Sequence, residues 1–123
     1  MGHQRNGNQV ATSVGNGLGD DAARTVALIL QGLATPSRLL LIAALQDGPR
    51  SVGELVDAVG MEQSAVSHQL RHLRDLGFVT SERHGRSVVY RLFDDHVIDI
   101  IDQALAHAEH LRLAESRTGT NDP

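Results

Sequence analysis

Between Ser51 and Leu92 the chain is punctuated more tightly than anywhere else, and that punctuation decides what it can fold into. Ser51 with Glu54 three residues on is a capping-box pattern, and Gly60 ends the helix it opens. Leu55, Val56 and Val59 form the apolar stripe of that helix. A longer helix follows from about Glu62 to Leu76, with Val66, Leu70, Leu73 and Leu76 at core spacing and Gly77 as its stop. Two strands come next, Phe78 to Glu82 and Ser87 to Leu92. Their connector, Arg83-His84-Gly85-Arg86, is short and contains glycine, as a hairpin needs.

Helix, short turn, helix, then hairpin is the winged helix-turn-helix order, so the expected fold is mainly α with a small β-hairpin. The flanks fit around it. Residues 1–19 hold five glycines and no hydrophobic period, and read as a flexible arm. Asp20 and Asp21 supply a cap and first-turn charge for a helix to about Leu33, with Val26, Ile29, Leu30 and Leu33 on one face. Thr35-Pro36 restarts a helix, almost wholly buried over Leu39 to Leu45, and Asp47-Gly48-Pro49 stops it. A final amphipathic helix runs from Asp94-Asp95 to about Leu113, and residues 114–123 read as a flexible tail. Residues 20–113 are then one DNA-binding and dimerisation domain.

Composition excludes several alternatives. With no cysteine, disulfides, thiolate metal sites and cysteine nucleophiles are absent together. The longest apolar run, Leu39 to Leu45, is far short of the roughly 20 residues of a membrane span. The opening residues lack the apolar core of a signal peptide. A cytoplasmic protein with no membrane partner is expected. Its net charge of −4 hides a sorted distribution, in which all 11 basic residues are arginine. Residues 62–91 carry +2, whereas residues 92–123 carry −5. A charge run alone is ordinary solvated surface. Here the basic stretch coincides with the second helix of the pair, which in this fold lies in a DNA major groove. Its outward residues, Gln63, Ser64, Ser67, His68 and Arg71, are small or hydrogen-bonding, and none is an acid. Arg83 and Arg86 at the hairpin tip are placed to reach a neighbouring phosphate or minor groove.

Local sequence adds a resemblance. The stretches Ala34-Thr35-Pro36-Ser37-Arg38-Leu39 and Gln63-Ser64-Ala65-Val66-Ser67-His68-Gln69-Leu70-Arg71-His72-Leu73 closely resemble the ArsR/SmtB family of bacterial repressors, and Gly85-Arg86 followed by Val88-Val89-Tyr90 resembles that family's wing. The resemblance covers roughly residues 22–113. It implies a homodimeric repressor that binds double-stranded operator DNA, with Gln63, Ser64, Ser67 and His68 as operator contacts. His68 and His72 are four apart and can in principle bind metal, but their place on the reading helix favours DNA contact or packing.

Four potential ligands line the last helix: Asp94, His96, His107 and His110. His96 and His107 share a helical face to within about 20°, yet lie about 16 Å apart along the axis, too far for one ion. His107 and His110 are three apart, which brings two imidazoles together. Two pairs at opposite ends of one helix make sense if an antiparallel copy pairs with it, so that each Asp94/His96 meets the other protomer's His107/His110. Ile98, Ile101, Leu105 and Leu111 are then dimer and core contacts, and the terminal helices hold the homodimer. The pattern Asp-x-His, ten residues, His-x-x-His also resembles the inter-subunit metal site of ArsR/SmtB sensors.

Nitrogen and carboxylate donors without thiolate suit zinc, cobalt or nickel. Four donors close a tetrahedral zinc site, whereas nickel and cobalt reward six. The opening Met1-Gly2-His3 supplies the extra two if Met1 is removed, as the free Gly2 amine and the His3 imidazole. With Met1 retained, Met-Gly-His is instead a copper/nickel-binding tripeptide. This opening and the last-helix pattern resemble nickel/cobalt sensors of the family, which implies release from the operator by nickel or cobalt and control of metal efflux. In those sensors a further histidine stands where this chain has Arg112. Zinc remains the alternative ion, and a metal-independent DNA-binding regulator the alternative function. No glycine-rich phosphate loop or oriented nucleophile supports an enzyme. A metallohydrolase on the three histidines and carboxylate would need a substrate cleft, and no small-molecule substrate is expected.

Overall fold

The computed structural model describes residues 17–119. The chain divides into two compact units, residues 1–35 and 36–123. The first contributes helix α1, Asp20–Leu33. Its N-cap is Gly19, so both expected capping acids, Asp20 and Asp21, lie inside the first turn. There they oppose the positive end of the helix dipole without capping it through a side chain. Leu33 is buried, whereas Val26, Ile29 and Leu30 of the expected apolar face stay exposed.

The second unit runs α2 (Pro36–Ala44), β1 (Arg50–Ser51), α3 (Val52–Val59), α4 (Gln63–Asp75), β2 (Val79–His84), β3 (Ser87–Leu92) and α5 (His96–Gly119). Its fully buried side chains are Leu41, Ile42, Leu45, Leu55, Val66, Leu70, Leu73 and Val79, one continuous set drawn from α2, α3, α4, the loop after α2 and the sheet. Two expectations about this core need correction. Leu40 in α2 is exposed, because it faces away from the side that carries Leu41 and Leu45. Leu76 is exposed too, since the helix ends at Asp75 and the chain turns at Gly77 before Leu76 can face inward.

The capping box forms as the spacing demands. Ser51 Oγ accepts from the Glu54 amide at 3.2 Å, and the Ser51 amide donates to Glu54 Oε1 at 2.8 Å. These two bonds, with the Arg50 charge, hold the Glu54 carboxyl below its usual range. Gly60 ends α3 with a φ of 70°, a left-handed conformation that glycine adopts without a Cβ clash.

The sheet holds one strand more than the expected hairpin. β1 pairs antiparallel with β3, Arg50 opposite Tyr90 and Ser51 opposite Val89, giving the order β1-β3-β2. β2 runs Val79–His84, two residues further toward the turn than expected, so that His84 stands opposite Ser87, while β3 keeps its expected bounds. Gly85-Arg86 is thus a two-residue turn, and Gly85 takes its positive φ of 64°. Helix α5 continues past the expected end near Leu113 to Gly119, because Ala114, Glu115 and Arg117 are good helix formers and no breaker precedes Gly119. The fold is mainly helical with a three-stranded antiparallel sheet, a winged helix-turn-helix.

Candidate functional site

Helix α4 is anchored by Val66, Leu70 and Leu73, all fully buried. At about 100° per residue, Ser64, Ser67, His68 and Arg71 fall within an arc of about 100° on the side away from those anchors. Gln63, Ser64, His68 and Arg71 are exposed and Ser67 is half-buried. The first turn of α4 holds no acid, and no side chain caps its amides. Oriented amides at a helix start favour an anion such as a phosphate, and the nearest acid, Glu62 at the N-cap, makes no capping bond to them. His72, four residues after His68, is half-buried beside the core.

On the wing, Val79, Ser81 and Arg83 share one face of β2 and stand opposite Leu92, Tyr90 and Val88. Val79 and Tyr90 are buried, so Arg83 prolongs the core face beyond the point where there is core to cover it. Arg83 and Arg86 are exposed and make no ion pair among the described residues. On the other face, Glu82 accepts from Arg91 at 3.4 Å and lies 3.3 Å from His84 Nε2. The one acid of the hairpin is therefore engaged locally, and Arg83 and Arg86 are the charges left without an ion pair at the tip among the described residues.

At the start of α5 the chain builds a tight pair. Asp94 Oδ1 accepts from the His96 amide at 3.0 Å, a turn closed by the aspartate side chain, and Asp94 Oδ2 stands 3.3 Å from His96 Nδ1. With metal–ligand bonds of about 2.1 Å, two adjacent donors on one tetrahedral ion are about 3.4 Å apart, and on an octahedral ion about 3.0 Å. The observed separation lies between, so the spacing of carboxylate and imidazole is compatible with one ion. His107 and His110 lie on the exposed length of the same continuous helix. Among the described residues no three His, Asp or Glu side chains gather into a group that holds a metal. The two pairs thus stay separate within one protomer. Gly2 and His3 lie outside the described residues.

Beyond its first two turns α5 leaves its described side chains open to solvent. Val97 and Ile98 are buried, and the helix touches α2 there. Ile101 is half-buried, and every side chain described from Asp102 to Arg117 is exposed, including Leu105, Leu111 and Leu113.

Residues 35–81, the span from the start of α2 into the wing, match the family described as bacterial regulatory protein, arsR family. The chain is 56% identical over 99 residues to the HTH-type transcriptional regulator NmtR of Mycobacterium tuberculosis, covering 80% of this chain and 82% of that one. The chain belongs to the ArsR family. The HTH-type transcriptional repressor SmtB of the same organism is 45% identical over 80 residues, 65% of this chain and 59% of that one. The solution structure of apo-NmtR superposes with a TM-score of 0.64 over 76% of this chain and 78% of that one.

In this ArsR chain one contact has no counterpart in the sequence pattern. Arg38 Nε of α2 donates to Gln69 Oε1 of α4 at 2.9 Å, in a half-buried setting. Gln69 sits at the edge of the buried arc, between Val66 and Leu73 on one side and His68 on the other. A long polar residue at such an edge signals a partner, but 31 residues separate it from Arg38 and no local pattern joins them. The chain's relatives are regulators, and the hollow lined by Asp47, Gly48, Pro49, Arg50 and Glu54 contains none of the candidate ligands.

Proposed function

We propose that this ArsR-family protein is a cytoplasmic, homodimeric repressor that binds a partly palindromic operator and leaves it when nickel or cobalt is bound between the two α5 helices. The single observation that carries the metal reading is the Asp94–His96 pair, held at ligand spacing on a helix whose described side chains from Asp102 to Arg117 are all exposed. Each Asp94 and His96 would join His107 and His110 of the partner subunit, giving two equal sites. The exposed Leu105 and Leu111 of α5 would be buried by the same pairing. Gly2 and His3 would supply the donors that distinguish nickel and cobalt from zinc.

In operator binding, Gln63, Ser64, Ser67, His68 and Arg71 read base edges while Arg83 and Arg86 hold phosphate or minor groove. A two-fold dimer spaces the two reading helices about one DNA turn, roughly 34 Å, apart. The ligands lie on the dimer helix, so the link to DNA is geometric. A bound ion supplies a cross-link that fixes one angle between the α5 helices. Because α5 begins against α2, that angle is passed to the reading unit, and a coupling of about 1–3 kcal/mol changes operator affinity about 5- to 150-fold.

The test is operator affinity measured by anisotropy with added nickel, cobalt or zinc, for the intact protein and for one lacking residues 1–3. Weaker DNA binding with nickel and cobalt, blunted by the truncation more than zinc binding is, supports the reading. Equal nickel responses in both proteins would remove the arm from the site and leave zinc as the inducer, which four donors also satisfy. No response to any ion would leave a metal-independent regulator.

A further inference from the structure

We infer that Arg38 and Gln69 act as a positioning pair that fixes the roll of the reading helix on α2, and that they set operator selectivity without touching a base. The inference rests on α4 being the reading helix. Apolar anchors alone define roll loosely, because Val66, Leu70 and Leu73 make non-directional contacts. The start of α4 adds no constraint of its own, since no side chain caps it. A directional bond between the helices supplies what is missing. Arginine only donates, so the Gln69 carbonyl oxygen must face Arg38 and its NH₂ group must face away. Both the position and the orientation of the amide are thereby set, one residue from His68 and two from Ser67 and Arg71.

The leverage is geometric. A side-chain tip about 6 Å from the helix axis moves about 1 Å for a roll of about 10°. Hydrogen bonds to base edges tolerate only a few tenths of an ångström. Losing the Arg38–Gln69 bond should therefore degrade base reading while phosphate contacts, which track the backbone, persist.

The experiment uses the intact protein and a duplex that it recovers from a randomised DNA pool, together with a scrambled duplex of the same composition. Arg38→Met and Gln69→Leu keep most of the side-chain volume and remove donor and acceptor in turn. Each should weaken binding to the recovered duplex about five- to tenfold and leave the scrambled duplex within about twofold. The double variant should be no worse than Arg38→Met alone, because Gln69→Leu then removes an acceptor whose donor is already gone. A purely structural role would lower the folded fraction and cut binding to both duplexes equally, overturning the inference. Direct phosphate binding by Arg38 would also overturn it. In that case Arg38→Met would lower the slope of log affinity against log salt by about 0.9 for each phosphate it ceases to neutralise, and Gln69→Leu would have no effect. Full affinity in both single variants would overturn the positioning alone, whereas failure of the wild-type protein to enrich any duplex would overturn α4 as the reader.

Discussion

The reading unit and the last helix solve the burial problem in opposite ways. From α2 to β3 the apolar residues close on one another, and Leu41, Leu55, Leu70 and Val79 are shut away from water inside a single chain. Helix α5 buries Val97 and Ile98 and then carries Leu105, 63% exposed, and Leu111, 57% exposed, out into solvent. Helices in proteins owe most of their stability to packing of an amphipathic face. A helix of 24 residues with this face open leaves that packing unmade among the described residues, and a second copy is the partner we propose for it. The first region is built to be rigid and to present one surface. The second is built to change with what it meets, and among the described residues the candidate metal donors sit there.

Core deletions probe that contrast most strongly. Leu70→Ala should destabilise the protein by about 2–5 kcal/mol in urea unfolding, at any protein concentration. Leu105→Ala should leave the unfolding of the reading unit unchanged and raise the dimer dissociation constant in sedimentation. If Leu105→Ala proved as damaging as Leu70→Ala in dilute protein, the two regions would not be built differently.

Function should separate along the same line. Arg71→Ala should cost about 1–3 kcal/mol of operator binding with metal affinity intact, measured by anisotropy and by metal titration. His107→Ala should do the reverse, weakening metal binding by about tenfold or more while the metal-free protein still binds operator normally. A smaller effect belongs to the capping box. Ser51→Ala should cost about 1 kcal/mol at neutral pH. The Glu54 carboxyl is held below its ordinary value of 4.5, so its contribution is present above that value and is lost as pH falls through the depressed one. The stability gap between wild type and Glu54→Ala should accordingly narrow in acid, as followed by urea unfolding from neutral pH downward.

What could be read from the sequence follows the same division. Local rules located α3 and α4 to within a residue or two, because caps, glycine stops and the 3.6-residue period are written in neighbouring positions. The hairpin was legible for the same reason. Strand β1 was not, since two residues cannot display alternation and Ser51 already served as a helix cap. Nor was the exposure of Leu76, which has core spacing but lies one residue beyond the helix. Among the candidate site residues, the outward arc of α4 was readable from periodicity. The Asp94–His96 spacing was visible as well, though not the side-chain turn that holds it. The Arg38–Gln69 bond joins two helices and has no local signature at all.

The central claim is that each metal site is shared between two copies of α5, and a mixed dimer tests it most directly. One protein carries Asp94→Ala with His96→Ala, the other His107→Ala with His110→Ala, and neither homodimer should bind nickel tightly. Co-purified heterodimers with distinct tags should recover one tight site per dimer by calorimetric titration, because one of the two interfaces then holds all four donors. Heterodimers of verified composition that bind no better than either parent would contradict the shared site.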